Sequence, residues 1–139
     1  MKNKIIFSTA CFSMFFVLSL VSCKKSDKCS AGIGGTITLV AFPQHHGKPV
    51  LSHTNYFDTA FVEFNTQQFP GTGASNYDLV IAGEAGEDHV HIPNIKCGDY
   101  YLYMSGFDTT LNQRVTGGIP YTIPENSSSE IDVAVPVTE

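Results

Sequence analysis

The chain has 139 residues, and its 13 acidic and 8 basic side chains give a formal net charge of −5. Phosphate contacts require Lys and Arg, so this balance argues against a nucleic-acid partner. The length is that of one domain, and a domain of this size buries enough apolar surface to form a core without covalent cross-links.

The N-terminal segment has the order of a secretory signal peptide. Lys2 and Lys4 precede an apolar run over residues 5–21, and the small residue Ser22 follows it directly. The run is also long enough for a membrane-spanning helix, so an uncleaved anchor is the alternative. Four Ser and Thr residues interrupt the run, which favours the signal peptide.

The residues Leu20-Val21-Ser22-Cys23 resemble the lipobox of bacterial lipoproteins. The resemblance implies that residues 1–22 are removed and that Cys23 is acylated on its thiol and its new amino group. Several acyl chains attach a protein stably to a membrane where a single chain does not. We therefore expect a protein of the cell envelope that is held at the outer membrane by its lipid, on either the periplasmic or the outer surface of that membrane.

Two cysteines, Cys29 and Cys97, follow the lipobox. In an oxidising compartment such a pair persists as a disulfide, and closing this long loop is worth roughly 4 kcal/mol in the chain-entropy treatment. Two free thiols are the alternative. Neither cysteine has another Cys or a His at the usual ligand spacing, which argues against a metal site. We predict a Cys29–Cys97 disulfide.

The rest of the chain is organised as short apolar segments between turns rich in Gly, Pro and Asn. The predicted strands are residues 36–42, ended by Pro43, then 58–65 and 77–82, two strands within 86–108, one or two within 115–123, and a final strand over Ile131, Val133, Val135 and Val137. No segment after Cys23 has a helical apolar period. We predict a lipidated Cys and tether over residues 23–34 and an all-β sandwich of seven or eight strands over residues 35–139.

Strict alternation in the strand after Gly98 assigns its two faces. The predicted inner set is Tyr100, Leu102 and Met104. Tyr101 and Tyr103 then point outward, and Phe61 of the strand 58–65 can join them. Exposed aromatic side chains form a contact surface for a partner, although ordinary pairing between strands is the alternative.

The order of turns and strands resembles a prealbumin-like sandwich, the type found in transthyretin, Cna-B and carboxypeptidase-regulatory domains. The matching positions are Gly47-Lys48-Pro49 and Asn94-Ile95-Lys96-Cys97-Gly98-Asp99-Tyr100, within residues 35–108. The resemblance implies an antiparallel β-sandwich and concerns core and turn positions only. The loop over 44–55 and the insertion over 66–76 are longer than the minimal domain requires. As a whole, the chain is similar to small prealbumin-like lipoproteins of Bacteroidetes.

Four histidines are candidate ligands for Cu or Zn, and no other cofactor is expected. His89 and His91 lie on one strand face about 7 Å apart, and His45 and His46 lie in the loop over 44–55. Surface histidines without a metal are the alternative, because no spacing here is a complete ligand set. A metal site requires the loop over 44–55 to fold onto the His89/His91 face, so the position of this loop distinguishes a metal site from surface histidines without a metal.

No enzyme motif is supported. The chain has neither a Gly-x-Ser-x-Gly nucleophile motif nor a P-loop. His89-x-His91 resembles the iron-binding pair of intradiol dioxygenases, but that family places the pair after its Gly-x-Tyr segment and this chain places it before. Hydroxyisourate hydrolases end in Tyr-Arg-Gly-Ser, which is absent here.

Two short motifs, Asp58-Thr59-Ala60 and Asp108-Thr109-Thr110, resemble O-glycosylation acceptors of Bacteroidetes. They make Thr59 and Thr109 candidate acceptors, although three-residue motifs also recur by chance. Taken together, the sequence predicts a non-enzymatic envelope lipoprotein that binds or scaffolds a protein or glycan partner. A periplasmic metal-binding lipoprotein is the alternative.

Overall fold

The computed structural model describes residues 29–139, so the predicted signal peptide and the acylated Cys23 lie outside the described residues. The strands are β1 (Ile33–His45), β2 (Lys48–Pro49), β3 (Thr59–Phe64), β4 (Leu79–Ala82), β5 (Val90–Ile95), β6 (Gly98–Asp108), β7 (Gln113–Ile123) and β8 (Glu130–Val137). A single 3₁₀ turn covers Ala74–Asn76, and residues 29–139 contain no helix with the length and apolar character needed to span a membrane. The predicted all-β class is confirmed.

Two sheets form the sandwich. In the first, β1 pairs with β2 and β5 antiparallel and with β8 parallel; in the second, the order is β4-β3-β6-β7, antiparallel throughout. The parallel pair departs from a purely antiparallel sandwich. Its cause is the connection over residues 124–129, which leaves β7 at the end of the sandwich where β1 also begins.

The core lies between the two sheets and is formed by alternate residues along the strands. The predicted inner residues Tyr100, Leu102 and Met104 are at most 1% exposed. They face the inward residues of the first sheet, which include Leu39, Ile92 and Val135. Removing one buried Leu from such a core costs about 2–5 kcal/mol, so this face fixes the register of β6.

One end of the sandwich, called the disulfide end, is held together by the predicted bridge. Cys29 and Cys97 are bonded with a Cα–Cα distance of 5.1 Å across 68 residues. Beside them the Tyr100 hydroxyl donates to the Lys96 carbonyl at 2.8 Å and accepts from the Gly32 N–H at 3.0 Å. Gly98 has a φ of 142°, and a Cβ there would collide with the backbone of Ala31. The chain is therefore fastened before β1 begins.

β1 is longer than predicted. It continues through Pro43 to His45 and turns through Gly47 into β2, so the predicted end at Pro43 is wrong. The last residue of β1 in register with β5 is Ala41, and the Pro43 carbonyl accepts from the Val50 N–H at 2.9 Å. Pro43 therefore lies beyond the β1–β5 ladder, and its missing N–H removes no hydrogen bond from that ladder.

Candidate functional site

A cleft of about 370 Å³ opens at the end of the sandwich opposite the disulfide. We call this the cleft end. It lies where β1 and β6 finish and where the turn over residues 109–112 meets the loop over 50–58. The residues that line it include His45, His46, Leu51, Phe107, Asp108 and Leu111.

His45 is buried at the base of this cleft and is held by two carboxylates. Its Nδ1 lies 2.8 Å from Asp108 Oδ2, and its Nε2 lies 2.9 Å from Glu139 Oε2. Carboxylates only accept, so both ring nitrogens donate when both bonds form, and the ring is then an imidazolium. The hydrogen bond to Asp108 is the main cause of the raised pKa of His45. Glu139 also raises this pKa, whereas burial lowers it. The same contact with His45 lowers the pKa of Asp108.

The two carboxylates are positioned by backbone hydrogen bonds. Asp108 Oδ1 accepts from the N–H groups of Thr110 and Leu111 at 2.7 and 3.2 Å, which leaves Oδ2 for His45. Thr138 exchanges two backbone hydrogen bonds with Thr116 of β7, at 2.7 and 2.8 Å, and so fixes the chain just before Glu139. Sequence reasoning named Asp108 only as part of a glycosylation motif and missed Glu139. An Asp that precedes turn residues at a strand end was the available signal.

His46 completes a group of three ligand atoms. Its ring stacks on that of His45 with the centroids 4.2 Å apart. One ligand atom each from His45, His46 and Glu139 lies within 4.8 Å of the others. Imidazole and carboxylate are ligands of Zn(II) and related metals, so this group can hold a cation.

The rim of the cleft end is apolar. Leu51, Tyr56 and Leu111 are each between 45 and 52% exposed. Tyr56 stacks on Phe107 with ring centroids 4.2 Å apart, which holds the loop over 50–58 against the end of β6. Large apolar side chains that remain in water near a cleft are a feature of binding surfaces.

The His89/His91 pair lies elsewhere, beside a second cavity that Glu84 and Glu87 also line. The two Nε2 atoms are 3.0 Å apart, and His89 Nδ1 donates to Asp88 Oδ1 at 2.9 Å. The loop over 44–55 hydrogen-bonds toward this side through Ser52, which pairs with the backbone of residues 86 and 87. The structure therefore does not bring the four predicted histidine ligands together; it divides them into two pairs.

The predicted contact face of Tyr101 and Tyr103 is not open to solvent. Both side chains do point away from the core, but they are only 9 and 6% exposed. Phe69 of the insertion and Tyr77, which directly follows it, cover them, and Phe61 packs against Tyr77 and Tyr103. The expected exposure was wrong because the insertion folds back over the sheet and closes a second small apolar cluster.

The two candidate glycosylation sites differ in accessibility. Thr59 is half-buried in β3, between β4 and β6, and its hydroxyl donates to the Phe57 carbonyl at 3.1 Å. Thr109 is exposed in the turn between β6 and β7. A glycan is easily accommodated at the turn and poorly accommodated within a paired strand.

Asp58 is a buried carboxyl that sequence reasoning did not single out. It has no exposed surface, and neither of its oxygens has a hydrogen-bond partner. Burial, and then the charge of Asp88, raises its pKa to about 7. A Cβ on Gly106 would lie 2.7 Å from Asp58 Oδ1, so the carboxyl occupies the space that this glycine leaves. An unsatisfied buried acid destabilises the fold when it ionises.

Comparison of the chain with protein-family models, with curated proteins and with solved structures finds no match.

Proposed function

We propose that this chain is a non-enzymatic lipoprotein of the cell envelope, anchored to the outer membrane through acylated Cys23, and that its β-sandwich binds or scaffolds a partner protein through the cleft end. Cys23 precedes Cys29 of the disulfide end by six residues, so the proposed anchor would join the sandwich at the end opposite the cleft. β1 has 13 residues. At about 3.3 Å per residue it separates these ends by roughly 40 Å.

The observation that carries the proposal is the distribution of exposed apolar side chains. Among residues 29–139, seven large apolar side chains are exposed, and three of them, Leu51, Tyr56 and Leu111, line the cleft or stack on a residue that lines it. Exposed apolar residues scattered singly are ordinary, whereas a group beside a cleft is typical of a surface that another molecule covers.

A prealbumin-like identity for the sandwich is part of the same proposal. It is supported by the turn at Gly47, where φ is 74°, and by the end of β5, where Asn94 has a φ of 60°. Both positions fall in the segments that resemble the family. The hydrogen bonds of His45 and His89 run to carboxylates or to another histidine rather than to a hydroxyl, which supports a binding role over nucleophilic catalysis.

Site-specific photo-crosslinking in cells tests the proposal with a matched control. A photoreactive residue replaces Leu111 in one strain and Val80 in another, because these side chains are 48 and 46% exposed but Val80 lies on β4. We expect a discrete adduct of higher mass from position 111 and none from position 80. A glycosidase-sensitive adduct would identify a glycan partner instead.

A Cys23→Ser strain provides the second arm. We expect it to lose both a fatty-acid label and the adduct from position 111, because the unanchored protein no longer meets its partner at the membrane. Label retained on the Cys23→Ser chain would refute the lipid anchor. Equal adducts from positions 111 and 80 would refute the cleft end as the binding surface.

A further inference from the structure

Three possible metal ligands converge at the base of the cleft, and their use does not depend on the partner proposed above. We propose that His45, His46 and Glu139 form a site for a divalent transition metal of the Zn(II) class. Asp108 acts as the carboxylate that orients His45. Two imidazoles and a carboxylate leave the fourth position of a tetrahedral Zn(II) for water or for a group of a bound partner.

The distances are close to those that a metal requires. Zn(II) binds imidazole nitrogen and carboxylate oxygen at about 2.0–2.2 Å, so two tetrahedral ligand atoms lie about 3.4 Å apart. His45 Nε2 and Glu139 Oε2 are 2.9 Å apart, and all three ligand atoms lie within 4.8 Å of one another. His46 and Glu139 are exposed, so their side chains can make this small adjustment without disturbing the core.

Asp108 supplies the second contact that a metal-bound histidine commonly has. A ligating His usually donates its other ring N–H to a carboxylate, which fixes the tautomer and raises the basicity of the ligand. His45 Nδ1 donates to Asp108 Oδ2 at 2.8 Å, and backbone N–H groups hold the other oxygen of Asp108. His45 is only 4% exposed, so its ring is fixed with Nε2 directed at Glu139.

The charge at the site also favours a cation. The carboxylates of Asp108 and Glu139 both lie against the His45 ring, so two negative charges are available to balance a divalent metal bound by neutral imidazoles. Any proton on His45 Nε2 passes to solvent when the metal takes its place. Lys48 lines the same cleft and is the opposing charge that the site must tolerate.

The His89/His91 pair is the natural comparison. It has the same kind of orienting carboxylate, Asp88, and its two Nε2 atoms are 3.0 Å apart. Among residues 29–139, however, the group of His45, His46 and Glu139 is the one in which a third ligand atom completes the set within the same spacing. A third protein ligand strengthens binding, so the two pairs are predicted to differ in affinity.

The test is zinc titration of the full chain, purified in detergent without a polyhistidine tag. Calorimetry should give one Zn(II) per chain, and Co(II) in its place should give the visible absorption of a tetrahedral site. The double variant His46→Ala with Glu139→Gln should bind at least about 100-fold more weakly. Asp108→Asn should weaken binding by about 10–100-fold, the range for an orienting carboxylate.

The matched control is the double variant His89→Ala with His91→Ala, which should bind zinc like the wild type. Because His46, Glu139 and His91 are exposed and His89 is half-buried, thermal melts should show all variants folded. Failure of the wild type to bind zinc would overturn the proposal. So would unchanged binding in the His46/Glu139 variant, or loss of binding in the His89/His91 variant alone.

Discussion

The two ends of the sandwich are built in opposite ways. At the disulfide end, a covalent bond and a buried tyrosine hydroxyl with two backbone partners fasten the chain. At the cleft end, Asp58 is buried without a hydrogen bond, the buried His45 ring lies against two carboxylates, and apolar side chains remain in water. Sites that bind other molecules commonly contain such locally unfavourable groups, which the rest of the fold must offset. The disulfide end therefore supplies stability that the cleft end does not.

The largest expected effect is at the disulfide end. Replacing both cysteines, Cys29→Ser with Cys97→Ser, should lower the free energy of unfolding by about 2–4 kcal/mol, because the open 68-residue loop gives the unfolded chain more freedom. Denaturant melts of the oxidised wild type and the variant measure the difference. A reducing agent should destabilise the wild type and leave the variant unchanged. A loss below about 0.5 kcal/mol would mean that the bridge does not fasten this end.

Asp58 should produce the next largest effect, and it should depend on pH. Its folded pKa of about 7 lies above the ordinary value of 3.8, so the folded state holds its proton more tightly than the unfolded state. The stabilisation that protonated Asp58 contributes is therefore present at acidic pH and is lost as pH rises through 7. Between pH 4 and pH 8, we expect the ionisation of Asp58 to lower the free energy of unfolding by up to about 4 kcal/mol.

Comparison with Asp58→Asn isolates this contribution from those of other titrating groups, including Asp88, whose charge faces it. Denaturant melts at pH 4, 6 and 8 should show the wild type losing stability relative to the variant as pH rises. The opposite trend, or a difference that does not change with pH, would show that Asp58 is paired and that the cleft end is not strained.

The smallest effect should come from Leu111→Ser on the rim. A side chain that is 48% exposed contributes little to the core, so the free energy of unfolding should change by no more than about 0.5 kcal/mol. Thermal melts test this, with Leu102→Ala as the buried counterpart that costs several-fold more. A large loss from Leu111→Ser would mean that the rim supports the fold rather than a partner.

Sequence periodicity was sufficient to assign the inner and outer residues of a strand that has one face in the core. The inner set of β6 follows from alternation alone, and the disulfide follows from compartment and count. The burial of Tyr103 could not be predicted in this way, because the pattern of a strand does not reveal that a distant insertion will cover its outer face. Nor does it reveal the His45 cluster, since His45 and Glu139 are 94 residues apart and meet only through the pairing of β1 with β8.

That pairing has a consequence for how the protein folds. β1 finds its parallel neighbour only when β8 is in place, and the two align over eight residue pairs from Thr38–Glu130 to His45–Val137. Contacts between residues so distant in sequence slow folding, which for such topologies takes milliseconds to seconds. During that interval β1 has an unpaired edge that can add to strands of other chains. A chaperone that shields extended segments would therefore act on β1 first.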